Sequence, residues 1–326
     1  MDWICENERL SENKLVNLKA SEGFVELLDD AEEGSLETPA IETEKFTEIT
    51  PSWNSNTREG SFVELFIKIR IENKWTDYIS YGSWSTDGNN VGIKEHYSDE
   101  YIRVTEDRIF VKSGRLGDGV QIKVQLRGEN PKLKLIAFST DGGEDEELEG
   151  NYLRILESVP LISQLSSGHK DARVICSPTS LTMVLKHHGK DVDLNQVTRG
   201  TLDSGNQAYG NWPQNVAFAG EQGMRAYTKK CKSINAVKNL IAKGIPVVAS
   251  VCMKEKEMLD GAISAFPSGH LMVVVGFHVK DGVEYIVVND PAANSDEEVR
   301  KYYRLDQWVS VWRHYIYNIT PNLAIN

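Results

Sequence analysis

No stretch of this sequence approaches the roughly 18 consecutive apolar residues that cross a bilayer as a helix. The opening MDWICENERLSENK has neither a basic leader nor an apolar h-region, so no signal peptide is expected and the chain reads as cytoplasmic. Cysteine is scarce. Cys5, Cys176, Cys231 and Cys252 are too few for a disulfide scaffold and show no CxxC spacing, which leaves reduced thiols as the expectation. Metal-ligand spacing, a glycine-rich phosphate loop and internal repeats are all missing, so no metal, cofactor or nucleotide is expected. Positive charge is short in the front half. Residues 1–150 hold 32 Asp/Glu against 17 Lys/Arg, a net of −15, whereas residues 151–326 hold 16 against 19, a net of +3. A phosphate backbone needs a basic face, so this composition argues against nucleic acid as a partner.

What is present is a globular chain of 326 residues, 40% hydrophobic and 26% charged, long enough for two domains. Residues 1–43 are polar and acidic and read as a flexible lead-in with one early strand. Residues 44–139 change texture: SFVELFIKIRIENKW, WTDYISYGSWS, YIRVTEDRIFVKS and GVQIKVQLRGENPKLKLIAFS alternate apolar and polar residues at period two. Several short alternating strands without helical periods predict an all-β antiparallel sandwich. Residues 140–150, around STDGGEDEELEG, have no apolar content to build a core and form the expected linker. From 151 to 326 the periods are mixed. SPTSLTMVLKHHG predicts a helix with Ser177 as N-cap, Pro178 in the first turn and Gly189 as stop. NWPQNVAFAGEQG and SINAVKNLIAKG predict two more helices, and IPVVASVCM, HLMVVVGFHVK, VEYIVVND and HYIYNIT predict strands. Helices first and antiparallel strands afterwards make an α+β domain.

The chemistry concentrates in three residues. Cys176 precedes the predicted helix cap in ICSPTS, where free backbone N–H groups and the helix dipole favour a thiolate. His270 opens the strand HLMVVVGF after Gly269, and Asp290 closes VEYIVVND. If Lys280-Asp281-Gly282 forms a three-residue hairpin loop, Asp290 stands opposite Met272 and diagonal to His270 on one face. A two-residue loop would put the pair on opposite faces. A cysteine at a helix N-terminus with a His–Asp pair on neighbouring strands is the arrangement of nucleophilic thiol catalysis. The Cys176 N–H would supply half an oxyanion hole, and Gln164 in VPLISQL is the candidate for the other half. Trp212, in the glycine-rich TLDSGNQAYGNWP, and Gly269 are candidate substrate-binding residues; Asn211 and Pro213 beside Trp212 also read as the cap and first turn of a helix.

SVPLISQL, VICSPTSLTMVL, GNWPQNVAFAGEQGMRAY, GIPVVASV, SGHLMVVVGF and VVNDPAA, in this order, resemble bacterial papain-like cysteine peptidases related to the bacteriocin (double-glycine) leader peptidases. The resemblance spans about residues 157–320. It implies a papain-like α+β domain with a Cys176–His270–Asp290 triad and does not transfer a substrate; peptide-bond cleavage through a Cys176 thioester is the leading function, with a peptide or protein as the expected partner. The region from PSWN to YGSWS is similar to the β-rich domain that precedes such peptidase domains in secreted bacterial proteins. Two rival functions stay open at this point: an amidase or acyltransferase using the same triad on cell-wall peptides or another acyl group, and a binding protein with a vestigial triad. For the β domain, Trp53, Trp75 and Trp84 read either as core or as a platform for a carbohydrate or cell-surface ligand. His187 and His188 end a helix, where imidazolium suits the dipole, and His169 reads as a solvated loop residue.

Overall fold

A computed structural model describes residues 1–94, 97–105, 107–112 and 114–322. It is mostly β-sheet with few helices. Contacts divide the chain into two units, Met1–Glu144 with Gly200–Lys230, and Asp145–Arg199 with the chain from Cys231 on.

In the first unit the alternation seen in the sequence becomes burial. Along Phe62–Ile71 every second residue is buried, which puts Val63, Leu65, Ile67, Ile69 and Ile71 inside. The strand Gly117–Arg127 lies antiparallel beside it, Val120 opposite Ile69 and Leu126 opposite Val63. Around this pair runs one sheet in the order Val91–Gly92, Ile79–Trp84, Phe62–Ile71, Gly117–Arg127, Glu33–Glu37, Lys14–Val16. A second sheet runs Ile102–Thr105, Arg108–Val111, Glu48–Asn56, Lys132–Thr140, Phe24–Leu27, Leu18–Ser21, with Asp2–Glu6 also on Lys132–Thr140. Trp53 of one sheet meets Tyr81 of the other edge to face, their ring centroids 6.4 Å apart.

Two expectations change here, and the choice left open for Trp53 and Trp84 is decided for the core. The acidic lead-in is not loose: residues 1–43 supply strands to both sheets. Apolar side chains among them, including Cys5, Leu10, Val25 and Leu36, are spaced so that they reach the core. Sparse hydrophobicity at the right pitch suffices when neighbouring strands cover the rest. Trp53 and Trp84 are core residues, 0% and 1% exposed, and form no platform. Residues 200–230 group with the first unit although they follow the linker in sequence. The strand Glu48–Asn56 is buried at all but its last residue, and its polar side chains bond backbone groups of this later segment. Asn54 Oδ1 accepts from Ala226 N (3.0 Å) while its Nδ2 donates to Ala226 O (2.8 Å), and Ser52 Oγ accepts from Thr228 N (3.3 Å).

The second unit carries the helix Cys176–His187, buried from Ser177 to Leu185, against the long strand Phe266–Lys280. Its strands order as Trp312–Pro321, Val247–Met253, Phe266–Lys280, Val283–Asn289 and Arg300–Arg304, paired antiparallel. The acidic segment after Asp145 is pinned by polar side chains rather than by apolar ones. Asn239 Nδ2 donates to Glu147 O (2.8 Å), Asn239 Oδ1 accepts from Glu149 N (2.7 Å), and Asn235 Nδ2 donates to Glu146 O (3.1 Å).

Candidate active site

The hairpin that carries His270 and Asp290 closes by a two-residue turn. Lys280 pairs with Val283, and Asp281 and Gly282 take φ of 52° and 76°, which suits a tight hairpin. That register alone would set His270 and Asp290 on opposite faces. A bulge between Val274 and Gly276 restores it: Val274 pairs with Val288 and Val273 with Asn289. The bulge sits where the segment Arg154–Leu156 approaches, with Leu156 N donating to Val275 O (2.8 Å) and Phe277 N to Arg154 O (3.0 Å). Only glycine fits at 276, because a Cβ there would stand 2.2 Å from Arg154 O. His270 Nε2 and Asp290 Oδ1 therefore meet at 2.7 Å, with side chains 2% and 1% exposed.

Cys176 is the first residue of its helix, and Ile175 occupies the cap position without a side-chain bond. Ser177, expected as the cap, turns inward and shares a 2.8 Å hydrogen bond with the Tyr317 hydroxyl. The cap is forgone, and the helix start is held to the sheet instead. The half-buried thiol of Cys176 interacts with the His270 imidazole and with Leu271 N–H. Burial pushes its pKa up, but the hydrogen bond and charge of His270, with the Leu271 N–H, outweigh this and bring it below the ordinary thiol value. Burial pulls His270 down, while the charge and bond of Asp290 and the interaction with Cys176 push it up to about 10. The pair thus favours thiolate beside imidazolium, a nucleophile that needs no separate deprotonation.

Two neighbours complete the surroundings of the His270–Asp290 pair, and the sequence pattern marks neither. Phe266 stacks on His270, ring centroids 3.9 Å apart and planes 11° off parallel, which shields the ring from water. Tyr303 is buried on the adjacent strand, and burial and the Asp290 carboxylate push its pKa far above the usual phenol value. Phe266 lay before the apolar run that announced the strand. Tyr303 reaches Asp290 only through strand pairing that local patterning does not reveal. Gln164 is buried at 4% exposure, its N–H donating to Pro291 O (2.8 Å), next to Asp290.

A family model described as the Peptidase_C39-like family matches residues 156–318, half of the chain. The chain belongs to the Peptidase_C39-like family. A second model, the Peptidase C39 N-terminal domain, matches residues 11–139, and so takes in most of the strands first read as a lead-in. Membership of the Peptidase_C39-like family supports a cysteine peptidase. Among solved structures, the chain is similar to a double-glycine-motif protease from an AMS/PCAT transporter in complex with its leader peptide (18% identity, 54% of this chain and 97% of that one, TM-score 0.35). It is also similar to the peptidase domain of Streptococcus ComA, a bifunctional ABC transporter of a quorum-sensing pathway (15%, 50% and 99%, TM-score 0.36). A third is the procathepsin B S9 of Trypanosoma congolense (13%, 54% and 80%, TM-score 0.38). None of the curated proteins compared with the chain matches it. No helix among the described residues is long and apolar enough to cross a membrane.

For this Peptidase_C39-like chain the structure brings Cys176, His270 and Asp290 together, with Gln164 beside the Asp290 loop. Gly269 precedes His270 at φ +102°, and a Cβ there would come within 3.3 Å of the Arg313 guanidinium. Trp212 is a residue of the first unit, buried, its backbone N–H donating to Asp107 Oδ2 (2.8 Å). Asn211 accepts from Gln214 N (3.1 Å) as the capping pattern predicts. Burial, then the charge of His187, drives His188 down to about 4, so it is neutral rather than the expected imidazolium. His187 bonds Ser158 Oγ (2.9 Å) and Gly244 O (3.3 Å). All four cysteines are thiols outside any disulfide, and Cys252 Sγ donates to Pro267 O (3.3 Å).

Proposed function

We propose that this chain is a thiol peptidase: a papain-like α+β domain, preceded by a β-sandwich, that cleaves peptide bonds through a thioester on Cys176. The observation that carries the reading is the buried 2.7 Å His270–Asp290 pair acting on a thiol at the start of a helix. In this mechanism Cys176 Sγ attacks the scissile carbonyl carbon as a thiolate. The carbonyl oxygen gains the negative charge and is met by the Cys176 N–H, which has no intrahelical partner in the first turn, and by the Gln164 amide. As the C–N bond breaks, the His270 imidazolium gives its proton to the leaving amine. Water then attacks the thioester, its proton returning to His270 as the Cys176 Sγ–C bond breaks. Asp290 holds the ring with Nε2 engaged, which leaves Nδ1 for the thiol and substrate.

Cys176→Ala should abolish turnover of a pool of fluorogenic peptide amides, and His270→Ala should come close to doing the same. Wild-type protein quenched in acid during turnover should carry an acyl mass on the Cys176 peptide. Full activity of Cys176→Ala would contradict the reading. So would an acyl group mapped to another residue.

A further inference from the structure

Gln164 is not an independent loop residue. Ser163, directly before it, is 1% exposed, and its hydroxyl donates to Ala293 O (2.5 Å) while accepting from Leu165 N (3.1 Å) and Ser166 N (3.2 Å). The Ser163 N–H donates to Asp296 Oδ1 (2.8 Å), which also accepts from Ser166 Oγ (3.1 Å). With the Gln164 N–H on Pro291 O (2.8 Å), the segment Ser163–Ser166 is stitched to the segment Pro291–Asp296 that follows Asp290. We propose that Ser163, backed by Asp296, is a positioning residue that holds Gln164 at the oxyanion site in fixed relation to Asp290.

The physical reason is that an oxyanion donor works only when preorganised, since a donor that must first be ordered returns part of its gain. A glutamine side chain on a short loop has three rotatable bonds and no sheet ladder to fix its backbone. The Ser163 hydroxyl fixes that backbone from both sides, anchoring across to Ala293 and turning the chain through Leu165 and Ser166. Because the anchor lies on the loop that begins at Asp290, both ends of the reacting group are set by one bonded unit.

The inference rests on the proposed role of Gln164, and the test separates the two. The probe is acetyl-glycyl-glycine aldehyde, whose carbonyl carbon bonds Cys176 Sγ to give a tetrahedral hemithioacetal, the oxygen gaining the proton. Kinetics on the fluorogenic peptide pool, aldehyde affinity and the rate of Cys176 alkylation by iodoacetamide are measured together. Removing an oxyanion donor costs on the order of 10²–10³ in kcat, and a misplacement near 1 Å about 10². Ser163→Ala should lower kcat and aldehyde affinity by about 10- to 100-fold, with KM and the alkylation rate within about twofold of wild type. Asp296→Ala alters an exposed residue and tests the same anchor without risk to the core; it should show the same pattern at about 3- to 10-fold, and Asp296→Asn, whose Oδ1 still accepts both bonds, should restore it. If Gln164→Ala is impaired while both Ser163→Ala and Asp296→Ala behave as wild type, the positioning role is overturned and the oxyanion role stands. If Gln164→Ala itself keeps wild-type kcat, the oxyanion role fails first and this inference falls with it. A fall in alkylation rate matching the fall in kcat would also overturn it, because the damage would then lie at the thiol–imidazole pair.

Discussion

Each unit of this protein buries an aspartate completely, and the two have different company. Asp203 in the first unit is 0% exposed and accepts from Gly205 N (3.0 Å), Asn206 N (3.0 Å), Asn206 Nδ2 (2.8 Å) and Asn211 Nδ2 (2.9 Å). Both oxygens are met by neutral donors, and the carboxylate nails a loop in place. Gly92 is part of the same packing, because a Cβ there would stand 2.2 Å from Asp203 Oδ2. Asp290 in the second unit is 1% exposed; its Oδ1 meets His270 Nε2 (2.7 Å) and Ala292 N (3.0 Å). Its Oδ2 is shut off from solvent without a hydrogen bond of ordinary geometry among the described residues. Burial alone does not mark an aspartate as functional. A carboxylate met only by neutral N–H groups holds the chain in place, whereas one bonded to an imidazole that itself acts on a thiol helps to set the charge of that imidazole.

The comparison predicts opposite phenotypes. Asp290→Ala removes the partner that keeps His270 charged and oriented, and turnover should fall by roughly 10³-fold or more; in a serine triad even the Asp-to-Asn change costs about 10⁴. Asp290→Asn should leave a larger residue, since an amide oxygen can still accept from Nε2 and a preformed ion pair depends less on proton abstraction. Kinetics on the fluorogenic pool check this, and wild-type rates for Asp290→Ala would show that another residue orients the ring. Asp203→Ala should act on stability instead. It takes the acceptor from four donors, of which the Asn211 amide is buried; an unmatched buried donor costs about 1–3 kcal/mol, so a loss of about that size in chemical denaturation is expected, with the alkylation rate of Cys176 in the remaining folded protein unchanged. A variant at 203 that slowed alkylation without losing stability would erase the distinction.

Much of this was legible in the sequence, and the rest failed for identifiable reasons. Period-two alternation located Phe62–Ile71 and Gly117–Arg127 because each has one buried face. Residues 1–43 escape a reading by apolar content, because Leu10, Val25 and Leu36 need only the right spacing to be buried. The same habit made 140–150 look unanchored, although Asn235 and Asn239 hold the backbone there from outside. Residues 200–230 joined the first unit through Ser52 and Asn54 on a distant strand, a pairing no local pattern announces. At the site, Cys176, His270 and Asp290 stood out by residue type and position. A three-residue turn would make them face each other, whereas the chain uses a two-residue turn and corrects the parity at Val275. The geometry was reached, but by another route. Tyr303 and the Ser163 hydroxyl act through tertiary neighbours and left no signal of their own.

The central claim is that Cys176 and His270 form a thiolate–imidazolium pair maintained by Asp290. It is tested most directly by the pH dependence of iodoacetamide alkylation at limiting reagent, with peptide mapping of all four thiols. The Cys176 pKa is lowered and that of His270 raised to about 10, so His270 holds its proton from neutral pH up to that value. Cys176 should therefore be the preferred site, and its rate should hold to lower pH than that of an ordinary thiol of pKa about 8.5, which loses roughly tenfold per unit as pH falls. His270→Ala should return it to that ordinary dependence. A wild-type Cys176 that already follows an ordinary thiol titration, or preferential labelling of Cys231 or Cys252, would contradict the account.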